Sequence, residues 1–128
     1  MRTLAIITII LGLVSIVLGV MFIVQSGSGK QEIADSVKPL TLDQVNPTYD
    51  KVSASFDQMM AKEEPNIQAG KAAASDTYNY LSAQRALLGL AKSNVGNVNA
   101  VMMNGIVDIV LGLGIALVGI TLFAKKNA

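Results

Sequence analysis

A chain of 128 residues that is 52% hydrophobic and carries a net charge of only +1 is too apolar for an ordinary small soluble domain, and its apolar residues gather at its two ends. With no Cys and no His it has no disulfide, no thiolate or imidazole metal site, no haem ligation through His and no nucleophile–His pair, which excludes most redox and hydrolytic chemistry. Lys and Arg are interspersed with Asp and Glu, and Trp is absent, so neither a basic patch nor a stacking platform points to nucleic acid.

Leu4 to Val24, LAIITIILGLVSIVLGVMFIV, is an uncharged run of 21 residues. The apolar region of a signal peptide covers about 7–15 residues, so this longer run is expected to stay as an uncleaved anchor over 1–24. At about 1.5 Å per residue it crosses a hydrocarbon core of about 30 Å. Gln25 to Lys30, QSGSGK, reads as a flexible polar exit, and it lacks the strand and full spacing of a phosphate-binding loop. Ser28 and Gln31 are spaced as an N-cap and its N3 partner for a short helix through Val37, which Pro39 ends.

Asn46-Pro47 supplies an N-cap and a proline at a first helical position. Tyr49, Val52, Phe56, Met59 and Met60 then recur at spacings of three and four until Glu64-Pro65, which predicts an amphipathic helix from Pro47 to Glu64. The pattern loosens around Gly70, as in the bend of a hairpin, and Ser75 or Asp76 caps the next helix. Its apolar stripe includes Tyr78, Tyr80, Leu81, Leu87, Leu88, Ala91, Val95 and Val98. No proline follows Pro65, so one helix is expected from about Asp76 to Ala124. Its last part, Gly105 to Phe123, is a second membrane-spanning run with a single acid, Asp108.

The fold class expected is therefore all-α: two transmembrane helices flanking an extracytoplasmic antiparallel helical hairpin, with the second span continuous with the hairpin's second arm. The divisions are 1–24 (first span), 25–103 (hairpin) and 104–128 (second span and a short tail). Arg2 precedes the first span and Lys125 and Lys126 follow the second, whereas the segment between holds seven Lys or Arg against eight Asp or Glu. By the positive-inside rule both termini of this multi-pass cell-membrane protein are cytoplasmic and the loop 25–104 is extracytoplasmic.

Small residues form a row on each span: Ala5, Thr8, Gly12, Ser15 and Gly19 on the first, and Gly105, Asp108, Gly112, Ala116 and Gly119 on the second. Lipid gives helices no hydrophobic reason to associate, so close approach through small residues, with hydroxyls adding hydrogen bonds, is what joins them. The two rows either pack on each other within one chain or face another subunit. Asp108, the only ionisable group in either run, is expected about one turn inside the outer edge, level with Gly19 to Phe22, in a packing or interfacial role.

Outside the membrane the apolar contacts expected are Tyr49, Val52, Phe56, Met59, Tyr80, Leu81 and Leu88. Glu63 and Glu64, with Asp57 two turns away, read as a solvated helix end and not as an acid–base pair. The methionine pairs at 59–60 and 102–103 read as core filling or adaptable surface.

No cofactor and no catalytic residue are expected. The reading is a non-enzymatic structural, accessory or scaffolding subunit whose partners are the lipid bilayer and copies of itself or other membrane subunits. Two alternatives stay open: a small channel or transporter element with Asp108 lining an ion or proton path, and an extracytoplasmic ligand-binding module.

Overall fold

The computed structural model describes Arg2 to Lys125; Lys126, one of the basic residues that orient the chain, lies outside the described residues. Three α-helices and no strand form among the described residues: α1 Arg2–Ser36, α2 Leu42–Gln68 and α3 Asp76–Lys125. The protein is all-α, and α1 and α3 are long and apolar enough to cross a membrane. Two compact units arise, one drawn from Met1–Gly29 and Asn97–Ala128, the other from Lys30–Gly96.

The expected polar exit at 25–30 is not a break, because α1 continues through it to Ser36. The Ser26 hydroxyl donates to the Ile23 carbonyl at 2.9 Å and the Ser28 hydroxyl to the Val24 carbonyl at 3.5 Å. Each serine thus satisfies its hydroxyl inside the helix, and Ser28 is not an N-cap. Gly29 lies so near Val98 that a Cβ on it would stand 2.9 Å from the Val98 Cγ2. This glycine therefore serves close packing more than chain flexibility. After Ser36 a turn closes with the Leu40 N–H donating to the Val37 carbonyl at 2.9 Å, and the Lys38–Pro39 peptide is cis.

The second helix begins at Leu42 and not at Pro47, so Asn46 lies within it instead of capping it. Its start is held by Gln44, whose Oε1 accepts the Thr41 N–H at 3.0 Å while its own N–H donates to the Thr41 carbonyl at 3.0 Å. Pro47 costs one intrahelical bond, to the carbonyl of Asp43. The extension gains Val45, which is fully buried.

Pro65 is likewise accommodated, and α2 ends at Gln68. Gly70, at φ +66°, closes it. The Gly70 N–H reaches the Ile67 carbonyl at 3.0 Å and the Lys71 N–H the Asn66 carbonyl at 2.9 Å, a paired ending that needs a left-handed residue, which glycine supplies without a Cβ clash. Ser75 then caps α3, its Oγ accepting the Tyr78 N–H at 3.1 Å.

In the second unit Ile33, Val45, Phe56, Leu88 and Ala91 are the buried apolar residues. Asp50 meets Lys92 and Asp57 meets Arg85, both at 3.3 Å, while the Phe56 and Tyr78 rings lie 5.2 Å apart. Numbers fall along α3 as they rise along α2, so the two run antiparallel there. The cations also cover rings: Arg85 stands 5.2 Å from the Phe56 centroid and Lys92 4.6 Å from that of Tyr49.

Candidate functional site

In the first unit α1 and α3 meet along the two rows of small residues. A Cβ placed on Gly12 would stand 2.6 Å from the Gly112 carbonyl oxygen and 2.6 Å from the Ala116 nitrogen, and one on Gly19 would stand 2.5 Å from the Gly105 oxygen. A Cβ on Gly119 would lie 3.0 Å from the Ala5 oxygen. Any side chain at these glycines would collide with the facing backbone, so glycine is what permits this approach.

The rows repeat every seven residues. On α1, Ala5, Gly12, Gly19 and Ser26 are all buried; on α3, Gly105, Gly112 and Gly119 are. Isoleucines of α1 fill the spaces over the α3 glycines: the Cγ1 atoms of Ile9, Ile16 and Ile23 stand 2.7, 2.8 and 3.0 Å from Cβ positions built on Gly119, Gly112 and Gly105. In the opposite sense the Ile109 Cγ1 lies 2.7 Å from a Cβ on Gly19. A seven-residue spacing keeps one seam facing its partner when helices coil around each other, so this is large-into-small packing sustained over three repeats.

Ile9, Ile16, Ile23 and Ser26 are absent from the rows read off the sequence, although their spacing of seven is visible there. Thr8 and Ser15 belong to the flank, both half-buried. The Thr8 hydroxyl turns back to the Leu4 carbonyl at 2.9 Å, and the Ser15 hydroxyl crosses to the backbone carbonyl of Asp108 at 2.9 Å.

That last bond corrects the depth of Asp108. The acid stands level with Ser15, about two turns further along α1 than Phe22 and next to Val14, the middle of Leu4 to Val24. Its carboxylate is half-buried and makes no hydrogen bond or ion pair among the described residues. At the far end of the seam the Arg2 guanidinium lies 5.7 Å from the Phe123 ring centroid.

Of the contacts expected in the second unit, Phe56 and Leu88 are buried and Tyr49, Val52, Met59 and Leu81 are half-buried. Tyr80 is not among them: it is 63% exposed, and Tyr78 makes the ring contact with Phe56. Two residues on a helix point about 200° apart, so only one of these tyrosines reaches α2.

Glu63 is more than a solvated helix end. Its carboxylate accepts the Ser75 hydroxyl at 2.6 Å and the Ser75 N–H at 3.0 Å. These bonds, the hydroxyl's first, hold its pKa below the ordinary carboxylate value, with burial opposing them. Glu63 thereby ties the end of α2 to the cap of α3. Among the described residues no three Asp or Glu side chains come together as a metal site. No protein-family model, curated protein or solved structure matches the chain.

Proposed function

We propose that this is a non-enzymatic, two-span membrane protein that serves as a structural, accessory or scaffolding subunit of a homo-oligomer or a larger membrane complex. The observation that carries the reading is the division of surfaces in the first unit. The glycines of its two rows are used up in the seam between α1 and α3, while Leu11, Val17, Val110 and Leu117 point outward, each more than half exposed. A helix pair coated on its outside with large apolar side chains fits a lipid surround, where backbone polar groups are satisfied within each helix.

Arg2 and Lys125 at the ends of that pair favour cytoplasmic termini, with the loop 25–104 outside and α2 and the start of α3 forming an extracytoplasmic hairpin. Because the glycine faces are occupied within the chain, contacts with other subunits fall to surfaces outside that seam.

The chain has no Cys, so single cysteines test this directly. A membrane-impermeant maleimide should label Lys71→Cys on intact cells and label Asn127→Cys only after lysis. The reverse pattern refutes the orientation. Crosslinking in intact membranes, followed by native mass measurement, should give species heavier than one chain; a monomer in both refutes the subunit role.

A second reading is favoured by Asp108, whose carboxylate lies well inside the apolar run without a partner among the described residues. Such an acid is a candidate lining for an ion or proton path through several copies. Loss of flux from proteoliposomes on Asp108→Asn with assembly intact supports the path, and absence of any flux in the wild type removes it.

A further inference from the structure

Outside the seam, the surfaces of the second unit divide by charge. The outer side of α2 carries exposed Asp43, Lys51 and Lys62. On α3 the cations Arg85 and Lys92 are drawn toward α2 by Asp57 and Asp50. What α3 leaves outward is Tyr80, Ala83, Leu87, Leu90 and Asn94, at alternating spacings of three and four, and Tyr80, Leu87 and Leu90 are 63%, 64% and 62% exposed. This strip has no charge, and neither have its flanking residues Gln84, Ala86, Ala91 and Ser93.

Beside the strip runs a cavity of about 500 Å³, walled on one side by Val37, Pro39 and Leu40 and on the other by Leu87, Leu90 and Asn94. Its rim charge, Lys38, is neutralised by Asp35 at 2.8 Å. An apolar ridge and a hollow of mixed lining, apolar at Val37, Pro39, Leu40 and Leu87 and polar at Ser36, Gln84 and Asn94, therefore lie side by side on one face, an arrangement a twofold pairing can use, since each copy supplies both halves of the contact.

We propose that a second copy of this chain packs in parallel on this face, the Leu87–Leu90 ridge of each copy seated in the hollow of the other. The inference rests on the two-span reading, because a shared membrane topology is what makes two copies parallel. A parallel twofold sets each strip residue near its own counterpart; a charged strip would repel itself, and this one is neutral throughout. Spacings of three and four are those of a two-helix seam, and Asn94 within it supplies a polar pair that fixes register. Leucine and tyrosine exposed together outside lipid also present the kind of patch that marks an interface.

Single cysteines read the contact. Oxidised with copper phenanthroline in native membranes, Leu87→Cys and Asn94→Cys should give a disulfide-linked dimer as the main species, while Lys51→Cys and Lys62→Cys on α2 give at least tenfold less. The double variant Leu87→Glu, Leu90→Glu alters only residues that the single chain leaves exposed. It should keep the helical content and unfolding midpoint of the chain and abolish crosslinking through Asn94→Cys.

Equal crosslinking on α2, no dimer at 87 and 94, or a dimer that survives the two glutamates overturns the pairing. So does a monomer that native mass spectrometry finds holding a small hydrophobic molecule, released by Leu90→Trp. Labelling of Lys71→Cys from outside separates the two levels: if it labels and no dimer forms, only the pairing fails, and if it does not label, the two-span reading fails with it.

Discussion

Replacing Gly112 by Ala tests the seam at one of its close approaches. The added Cβ would stand 2.6 Å from the Gly12 oxygen and 2.9 Å from the Ile16 nitrogen, both backbone atoms, whereas ordinary contact begins near 3.4 Å. Relief requires α1 and α3 to part at that level by about 0.8 Å, the difference between 2.6 and 3.4 Å. A gap of about 0.5–1 Å forfeits about a quarter to a half of each dispersion contact across it. Overpacking of this kind costs about 1–3 kcal/mol.

Gly114, two residues on, has nothing within 4 Å of its Cβ position. There Ala should be neutral or stabilising by up to about 1 kcal/mol through helix propensity. Gly12→Ala meets the Gly112 oxygen at the same 2.6 Å, so one separation relieves both substitutions, and the double variant should lose less than the two single losses combined. The assay is an SDS titration in dodecyl maltoside, followed by energy transfer between fluorophores on Thr3→Cys and Leu122→Cys. An unchanged midpoint for Gly112→Ala, or an equal loss for Gly114→Ala, refutes the close approach.

Four further outcomes follow from individual residues. Because its Ser75 bonds hold the folded pKa of Glu63 below the ordinary carboxylate value, its contribution is present above that ordinary value and is lost as pH falls through the folded one; the Ser75 amide resonance should titrate with a midpoint below the ordinary carboxylate value, and Glu63→Gln should abolish the change. Val45→Ala, at a fully buried site, should cost about 2 kcal/mol and speed hydrogen exchange in the first turns of α2. Gly70→Ala, forced to φ +66°, should cost about 1–2 kcal/mol in the same unfolding assay. Nitroxides on Asp108→Cys and Ser15→Cys should report equal depth by oxygen accessibility, with one on Phe22→Cys about 10 Å shallower; a shared depth for Asp108 and Phe22 refutes the register.

Where a residue's role depends on its own helix, it was legible in the sequence. Gly70 marked the bend after α2, Ser75 or Asp76 the cap of α3, and the absence of proline after Pro65 the unbroken run of α3, although α2 passes the expected end at Glu64-Pro65 and stops at Gln68. Where the outcome depends on a neighbour, it was not. Ser26, Gly27, Ser28 and Gly29 are weak helix formers in isolation, yet α1 runs through them, with Ser26 buried and Gly29 against Val98. The start of α2 was expected at Asn46-Pro47, whereas Thr41 and Gln44 hold it at Leu42. Burial of Val45 favours the earlier start, and no local rule contains that term. In the seam, the glycines were found by their size, but the isoleucines that fill them stood in neither row, because only the facing helix distinguishes Ile9, Ile16 and Ile23 from Ile10.

The register that these isoleucines fix also alters what Asp108 implies. Read along its own helix, the acid lies one turn inside Gly105 to Phe123 and could reach headgroups at little cost. Paired with α1, it stands level with Ser15, about 14 Å from Val24 at 1.5 Å per residue, near the middle of the apolar run Leu4 to Val24, which the proposed two-span reading sets across a hydrocarbon core of about 30 Å. An acid at the centre of a span costs about 2.5–3.5 kcal/mol on insertion scales. The Ser15 bond does not offset that cost, since it goes to the Asp108 backbone and leaves the carboxylate without a partner among the described residues. Gly112 and Gly105 carry the packing on either side of it, so the seam has no need of an acid there. On the two-span reading proposed above, a side chain that is costly where it sits and dispensable to the packing around it is one that another subunit or a transported cation would satisfy, and the flux and assembly of Asp108→Asn distinguish the two.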